Sequence, residues 1–254
     1  MKRSACKAEG KTRTFDTNTT HLGVLWGAEL TDYGDATIDL LERTYARGAS
    51  HALALIRHSA REYAPGRHDL ENPLTNEGRE YARRLWARLP KTLTVRGYAS
   101  PPERCMETAQ LVLNSHRQSG GAVTRHRPVE ALGVFYALDQ RKMWKGMADA
   151  GGLVNYLQRW FAGDVPSDAM MEPTLAARQV IRALTGKLDQ PIAQLQLDLC
   201  VSHDITLHLV RDRLLGEPVD SSEVAYLDAL VLFRLGGELR LASQRGNEVL
   251  LAEG

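Results

Sequence analysis

The chain lacks the features that would mark a membrane, secreted or nucleic-acid-coating protein. Its longest apolar stretches, such as Ala52 to Ile56 and Ala229 to Phe233, fall far short of the roughly 20 residues a spanning helix needs. Cysteine is scarce. Cys6, Cys105 and Cys200 are far apart and form no C-x-x-C, so no disulfide framework or thiolate zinc site is encoded, and a reducing, cytoplasmic setting is expected. Charge of one sign is missing as well: 32 Lys and Arg stand against 31 Asp and Glu, a net +1. No global excess is there to recruit nucleic acid or an anionic membrane. Residues 1–20 contain no apolar h-region and read as a polar, mobile arm rather than a secretory signal. No repeat of 20 to 50 residues, G-x-G-x-x-G, P-loop or G-x-S-x-G occurs, which leaves solenoid, nucleotide-cofactor and serine-hydrolase readings without support.

What is present is an ordinary globular chain, 43% hydrophobic and 25% charged over 254 residues, enough for one α/β domain over residues 21–254. Ile38, Leu41 and Tyr45 recur at helical spacing before Gly48. His51 to Ile56 is an apolar run ending in polar residues, the pattern of a buried strand that delivers side chains at its C-terminal end. Thr75 is a suitable N-cap for a helix reaching about Leu89, with Pro90 as the stop. Thr94 to Ala99 reads as a strand, Ser100-Pro101-Pro102 opens a further helix, and Val123 to Val129 reads as a third strand. Pro173 to Leu188 is a helix, Leu195 to Ser202 a strand, and a helix then runs to Leu215. Leu227 to Leu235 and Glu238 to Ala242 form a hairpin about Gly236-Gly237, whose sheet edge offers a surface for homodimerisation. Alternating strands and helices predict a three-layer αβα sandwich with a largely parallel central sheet. Residues 139–172 crowd Met143, Trp144, Met147, Trp160, Phe161, Met170 and Met171 between sheet elements. They are read as a helical cap insertion, against the alternative of two helices simply packed on the core.

Three polar clusters fall at ends of predicted strands or starts of helices: Arg57-His58-Ser59-Ala60-Arg61, Ser100 to Arg104, and Ser202-His203-Asp204. In open α/β sheets such ends share one crevice. Together they supply three guanidinium groups, two imidazoles and a carboxylate. That set suits a phosphoryl group: guanidinium forks hold its oxygens and spread its transition-state charge. An imidazole can attack phosphorus, and a carboxyl group can protonate the leaving oxygen.

Leu55-Ile56-Arg57-His58, Leu74-Thr75-x-x-Gly78, Ser100-Pro-x-x-Arg104-Cys105-x-Glu107-Thr108-Ala109 and Val201-Ser202-His203-Asp204 resemble, in order, the histidine phosphatase superfamily of phosphoglycerate mutases and acid phosphatases. The resemblance covers roughly Ala52 to Ala242. It implies that His58 is the phosphorylated nucleophile, that Arg57, Arg104 and His203 complete the phosphate pocket, and that Arg61 matches the second arginine of R-H-G-x-R in the acid-phosphatase branch. Asp204 matches that branch's proton donor; in the mutase branch the donor is a glutamate after the third strand, where this chain has Glu130. Ser59 stands where the family has glycine, and its hydroxyl is a further candidate phosphate ligand. Glu103 and Glu107 are read as structural. The implied activity is metal-independent, cofactor-free hydrolysis of a small phosphorylated metabolite. A mutase-like transfer, a phosphoprotein phosphatase or a silent phosphate-binding module are the alternatives. A metal-dependent H-D phosphohydrolase using His68-Asp69 or His203-Asp204 is disfavoured, because His203-Asp204 follows a predicted strand.

Overall fold

The computed structural model describes residues 33–64, 69–219 and 223–252. The arm expected over residues 1–20, with Cys6, His21 and His68, lies outside them. In chain order the regular elements are α1 (Asp35–Ala46), β1 (His51–Arg57), α2 (Asn76–Trp86), β2 (Thr94–Ala99) and α3 (Glu103–Gln118). Then come β3 (Ala122–Val123), β4 (Arg127–Pro128), α4 (Gln140–Asp149), α5 (Leu153–Ala162), α6 (Pro173–Leu188) and β5 (Gln196–Ser202). The chain closes with α7 (Asp204–Leu215), β6 (Ala229–Leu235), β7 (Glu238–Ser243) and β8 (Glu248–Leu250).

The strands form one sheet in the order β3-β2-β5-β1-β6-β7-β8, with β4 also on β2. Pairings from β3 to β1 are parallel, and β6, β7 and β8 add an antiparallel margin. Alternation along the strands builds two cores. Leu53, Leu55, Leu230 and Leu232 face the layer of α6 and α7. Ala52, Ala54, Ile56, Val231 and Phe233 face the layer of α1, α2 and α3. The expected three-layer αβα architecture is therefore the observed one.

Two expectations need correcting. The single strand over Val123 to Val129 is instead two pairs, β3 and β4, each two residues long on β2. Pro128 has no N–H to donate, and proline is confined to edge positions of a ladder. The hairpin is a three-stranded meander, because β8 adds to β7. Its turn is as expected: Gly236 and Gly237 both have positive φ, 60° and 87°, the conformation a tight hairpin needs and glycine supplies.

Residues 139–172 fold as α4 and α5. Met143, Tyr156, Leu157, Trp160 and Met170 are buried in the same core as α6 and α7. Trp160 stacks on Tyr136 at 5.5 Å and its Nε1 donates to the Met171 carbonyl at 2.8 Å. Much of the apolar content that suggested a cap is thus spent on packing.

Candidate active site

Register brings the polar clusters level. Arg57 pairs with Ser202 across β1 and β5, and Ala99 with Val201 across β2 and β5. The next residue of each strand, His58, His203 and Ser100, therefore emerges at the same C-terminal rim. His58 N–H donates to the Ser202 carbonyl at 3.0 Å and Ser100 N–H to the Val201 carbonyl at 2.8 Å. Helices α3 and α7 start here, so their N-termini, which favour anions, border the crevice.

His58 is buried, and its partners define its tautomer. Nδ1 lies 2.8 Å from the Ser59 carbonyl, which only accepts, so Nδ1 carries the proton. Nε2 is unprotonated, and its lone pair accepts from Arg104 Nε at 3.1 Å. Burial, then His203 and Arg104, hold the imidazole well below the usual histidine range. It is neutral at pH 7. His203, edge-on to His58 at 5.7 Å, has Nδ1 3.4 Å from Arg104 Nη2 and Nε2 2.9 Å from Ser100 Oγ. A guanidinium cannot accept, so Nε2–H donates to Ser100. Burial and Arg104 lower this imidazole to about 4, with Asp204 opposing them.

Arg57, the last residue of β1, packs against the same Tyr226 ring that flanks His58. Nη2 pairs with Asp204 Oδ2 at 3.0 Å, Nη1 donates to the Val224 carbonyl, and the guanidinium lies 4.1 Å from the Tyr226 ring. Asp204, in the first turn of α7, also accepts from Ile205 N–H at 2.8 Å. Burial alone would raise its carboxyl. Arg57, the Ile205 N–H and His203 outweigh that, and the net shift is downward. Arg57 and Asp204 form one wall of a cavity of about 340 Å³ whose other side is Gly151 to Asn155, the start of α5.

The remaining sequence candidates stand differently. The Ser59 hydroxyl, a candidate phosphate ligand in the sequence, donates to the Gly78 carbonyl at 2.6 Å and ties the end of β1 to α2. Serine is unstrained here, because Leu227 alone among the described non-glycine residues has positive φ. Gly78 is the demanding glycine: a Cβ there would stand 2.1 Å from the Ala60 carbonyl oxygen. Arg61 Nη2 pairs with Asp69 Oδ1 at 2.6 Å and makes no direct contact with His58. Glu130 is exposed on a 3-10 turn (Glu130–Leu132) tied to the rim by Ser202 Oγ, which donates to the Leu132 carbonyl at 2.7 Å. Glu107 pairs with Arg79 at 2.6 Å, joining α3 to α2, so its structural reading holds. Cys105 is buried and its thiol is pushed up to about 12, which keeps it protonated.

Three contacts went unread in the sequence: Asp69 on Arg104, Ser100 on His203, and Tyr226 under Arg57. Only Ser100, part of S-P-x-x-R, carried a signal. Among the described residues no three His, Cys, Asp or Glu side chains gather to hold a metal ion. The guanidinium 3.4 Å from His203 Nδ1 also opposes a cation there.

A family model, histidine phosphatase superfamily (branch 1), matches residues 53–235. The chain belongs to that superfamily. No curated protein matches it by sequence. Among solved structures, phosphoglycerate mutase from Bacillus anthracis str. Sterne superposes with TM-score 0.50 at 18% identity, covering 78% of this chain and 94% of that one. A mycobacterial protein, "Mycobacterial hydrolase 2", gives TM-score 0.50 at 17% identity over 80% and 92%. The α-ribazole phosphatase from Shigella flexneri gives 0.47 at 23% over 76% and 95%. The first two bear out the fold.

Proposed function

We propose that this member of the superfamily is a phosphomonoester hydrolase that needs no metal and works through a phosphorylated His58. The observation that carries the reading is the His58 ring itself. Its proton is committed to the Ser59 carbonyl, and its unprotonated Nε2 accepts from the Arg104 guanidinium at 3.1 Å; an incoming phosphate oxygen that takes over that N–H releases the lone pair for attack.

In the first step Nε2 forms a bond to phosphorus as the bond from phosphorus to the ester oxygen breaks. Arg104, Arg57 and His203 hold the charge on the equatorial oxygens. The departing oxygen takes a proton from Asp204. In the second step water attacks phosphorus, gives its proton to the Asp204 carboxylate, and the N–P bond breaks to release phosphate. Asp204 is ionised in the free protein, held by Arg57 at 3.0 Å. A phosphate sharing Arg57 weakens that hold and brings like charge beside the carboxylate, which raises its proton affinity. A monoanionic ester also delivers the proton with the substrate.

Asp204 is favoured as donor because it pairs with Arg57 and lines the cavity beside it. The competing donor is Glu130, since the family match is to branch 1 and a phosphoglycerate mutase shares the fold. The 340 Å³ cavity has room for a small leaving group, with the start of α5 as its far wall; that contact is what supports a substrate-facing role for residues 139–172. A mutase would form the same phosphohistidine and return the phosphoryl group to a bound alcohol.

The test uses chelator-treated protein with p-nitrophenyl phosphate, beside His58→Ala. The reading expects turnover that survives chelation, releases inorganic phosphate, and disappears in the variant. Equal turnover by both proteins refutes it.

A further inference from the structure

The anion site holds a carboxylate of its own. Asp69 opens a 3-10 turn (Asp69–Glu71) between β1 and α2. Its Oδ1 lies 2.6 Å from Arg61 Nη2 and its Oδ2 lies 3.2 Å from Arg104 Nη2. That Nη2 is also the atom 3.4 Å from His203 Nδ1, and the same guanidinium reaches His58 through Nε. Arg104 is 3% exposed, so water gives its charge little solvation and a counter-anion is needed. Asp69 supplies one, at the atom a phosphate oxygen must reach.

We propose that Asp69 is an internal competitor for the substrate's phosphoryl group, and that it sets the site's affinity for anions. The inference rests on the phosphatase reading and adds a determinant to it. Two features make the exchange a side-chain event. Arg104 Nη1 donates to the Asp69 main-chain carbonyl at 2.8 Å, a bond that persists whatever the side chain does. Arg61 keeps a second acceptor in the Glu62 carbonyl at 3.2 Å. Rotation of the carboxylate away from Nη2 therefore vacates an oxygen position while Arg104 stays in place. The bound phosphate gains the full cation and repels the displaced carboxylate.

A simple positioning role has the opposite consequence. If the Asp69 carboxylate served to aim Arg104, its loss would weaken phosphate binding and lower kcat. If it competes, its loss strengthens binding. Calorimetric titration of the full chain with inorganic phosphate separates the two. Asp69→Asn is expected to bind phosphate about tenfold tighter, with KM for p-nitrophenyl phosphate falling in parallel and kcat not rising. Asp69→Ala is expected to follow it. Glu71→Gln, on the same turn but outside the arginine pair, is the control and keeps the unmodified affinity. Equal or weaker binding by both Asp69 variants overturns the inference, while turnover by the unmodified chain leaves the phosphatase reading standing. Absence of both phosphate binding and turnover in every chain overturns the two together.

Discussion

Acidification from about pH 7.5 to about 4.5 is expected to remove about 2–3 kcal/mol of folding free energy at His203, with His58 adding a loss of the same sign. His58 and His203 are buried, with 2% and 5% exposure. Both are held neutral: His203 is lowered from 6.5 to about 4, and His58 well below 6.5. Their folded values are depressed, so each stabilises the fold fully above 6.5, the value of the unfolded chain, and loses that contribution as pH falls toward the folded value. Each proton taken up only on unfolding costs about 1.4 kcal/mol per pH unit. At about pH 4.5 His203 has then lost between about 2 and 3 kcal/mol, and His58 adds to the loss in the same direction. The depressed carboxylates Glu248 and Asp204 add their losses only below their ordinary values of 4.5 and 3.8. The window above 4.5 therefore belongs mainly to imidazoles. Urea unfolding followed by tryptophan fluorescence at the two pH values measures the drop, and the double variant His58→Asn, His203→Asn is expected to lose most of it. A drop in the double variant equal to that of the unmodified chain refutes the reasoning, as does no drop in either.

Other consequences follow from single contacts. Asp204→Asn should slow esters with poor leaving groups at least tenfold more than p-nitrophenyl phosphate, as expected for lost proton donation; if Glu130→Gln does so instead, the donor is Glu130. Gly78→Ala drives a Cβ to 2.1 Å from the Ala60 carbonyl and should cost about 1–3 kcal/mol in urea unfolding, with lower turnover because Ala60 adjoins the Arg57-His58 rim. Asp198 lies buried at the far end of β5, bonded to Arg96 at 2.8 and 2.6 Å and to His51 at 3.2 Å. Asp198→Ala should therefore cost about 3–5 kcal/mol and leave kcat/KM unchanged wherever the variant is folded.

The parts of the fold legible in the sequence were those set by local periodicity. β1 holds a short apolar run, Thr75 accepts from Gly78 N–H at 2.9 Å as the expected N-cap, and Pro173 opens α6. β8 was not legible. Glu248-Val249-Leu250 is too short to carry a pattern, and it is a strand only because β7 pairs with it and Arg47 and Arg240 hold Glu248. β3 and β4 were read as one strand over Val123 to Val129, while the break at Thr124 to His126 depends on the path beside β2.

The same division runs through the site. Arg57, His58, His203 and Asp204 follow strand ends within one or two residues, so a strand assignment alone placed them. Arg104 was read from the S-P-x-x-R spacing at the start of α3. The direction of the Ser59 hydroxyl is decided by Gly78, 19 positions away. Asp69 meets Arg104 across 35 positions, and Tyr226 reaches Arg57 from the loop before β6. Such contacts leave no local trace in a single sequence.

The claim on which the account rests is that Nε2 of His58 carries the phosphoryl group. Rapid acid-free denaturation of the protein during turnover of a ³²P-labelled monoester, followed by peptide mapping and phosphorus NMR, tests it directly. The account expects one labelled peptide containing His58, phosphorylated at Nε2, and no label in His58→Ala. Label on another residue, or full turnover by His58→Ala with no covalent label, would contradict it.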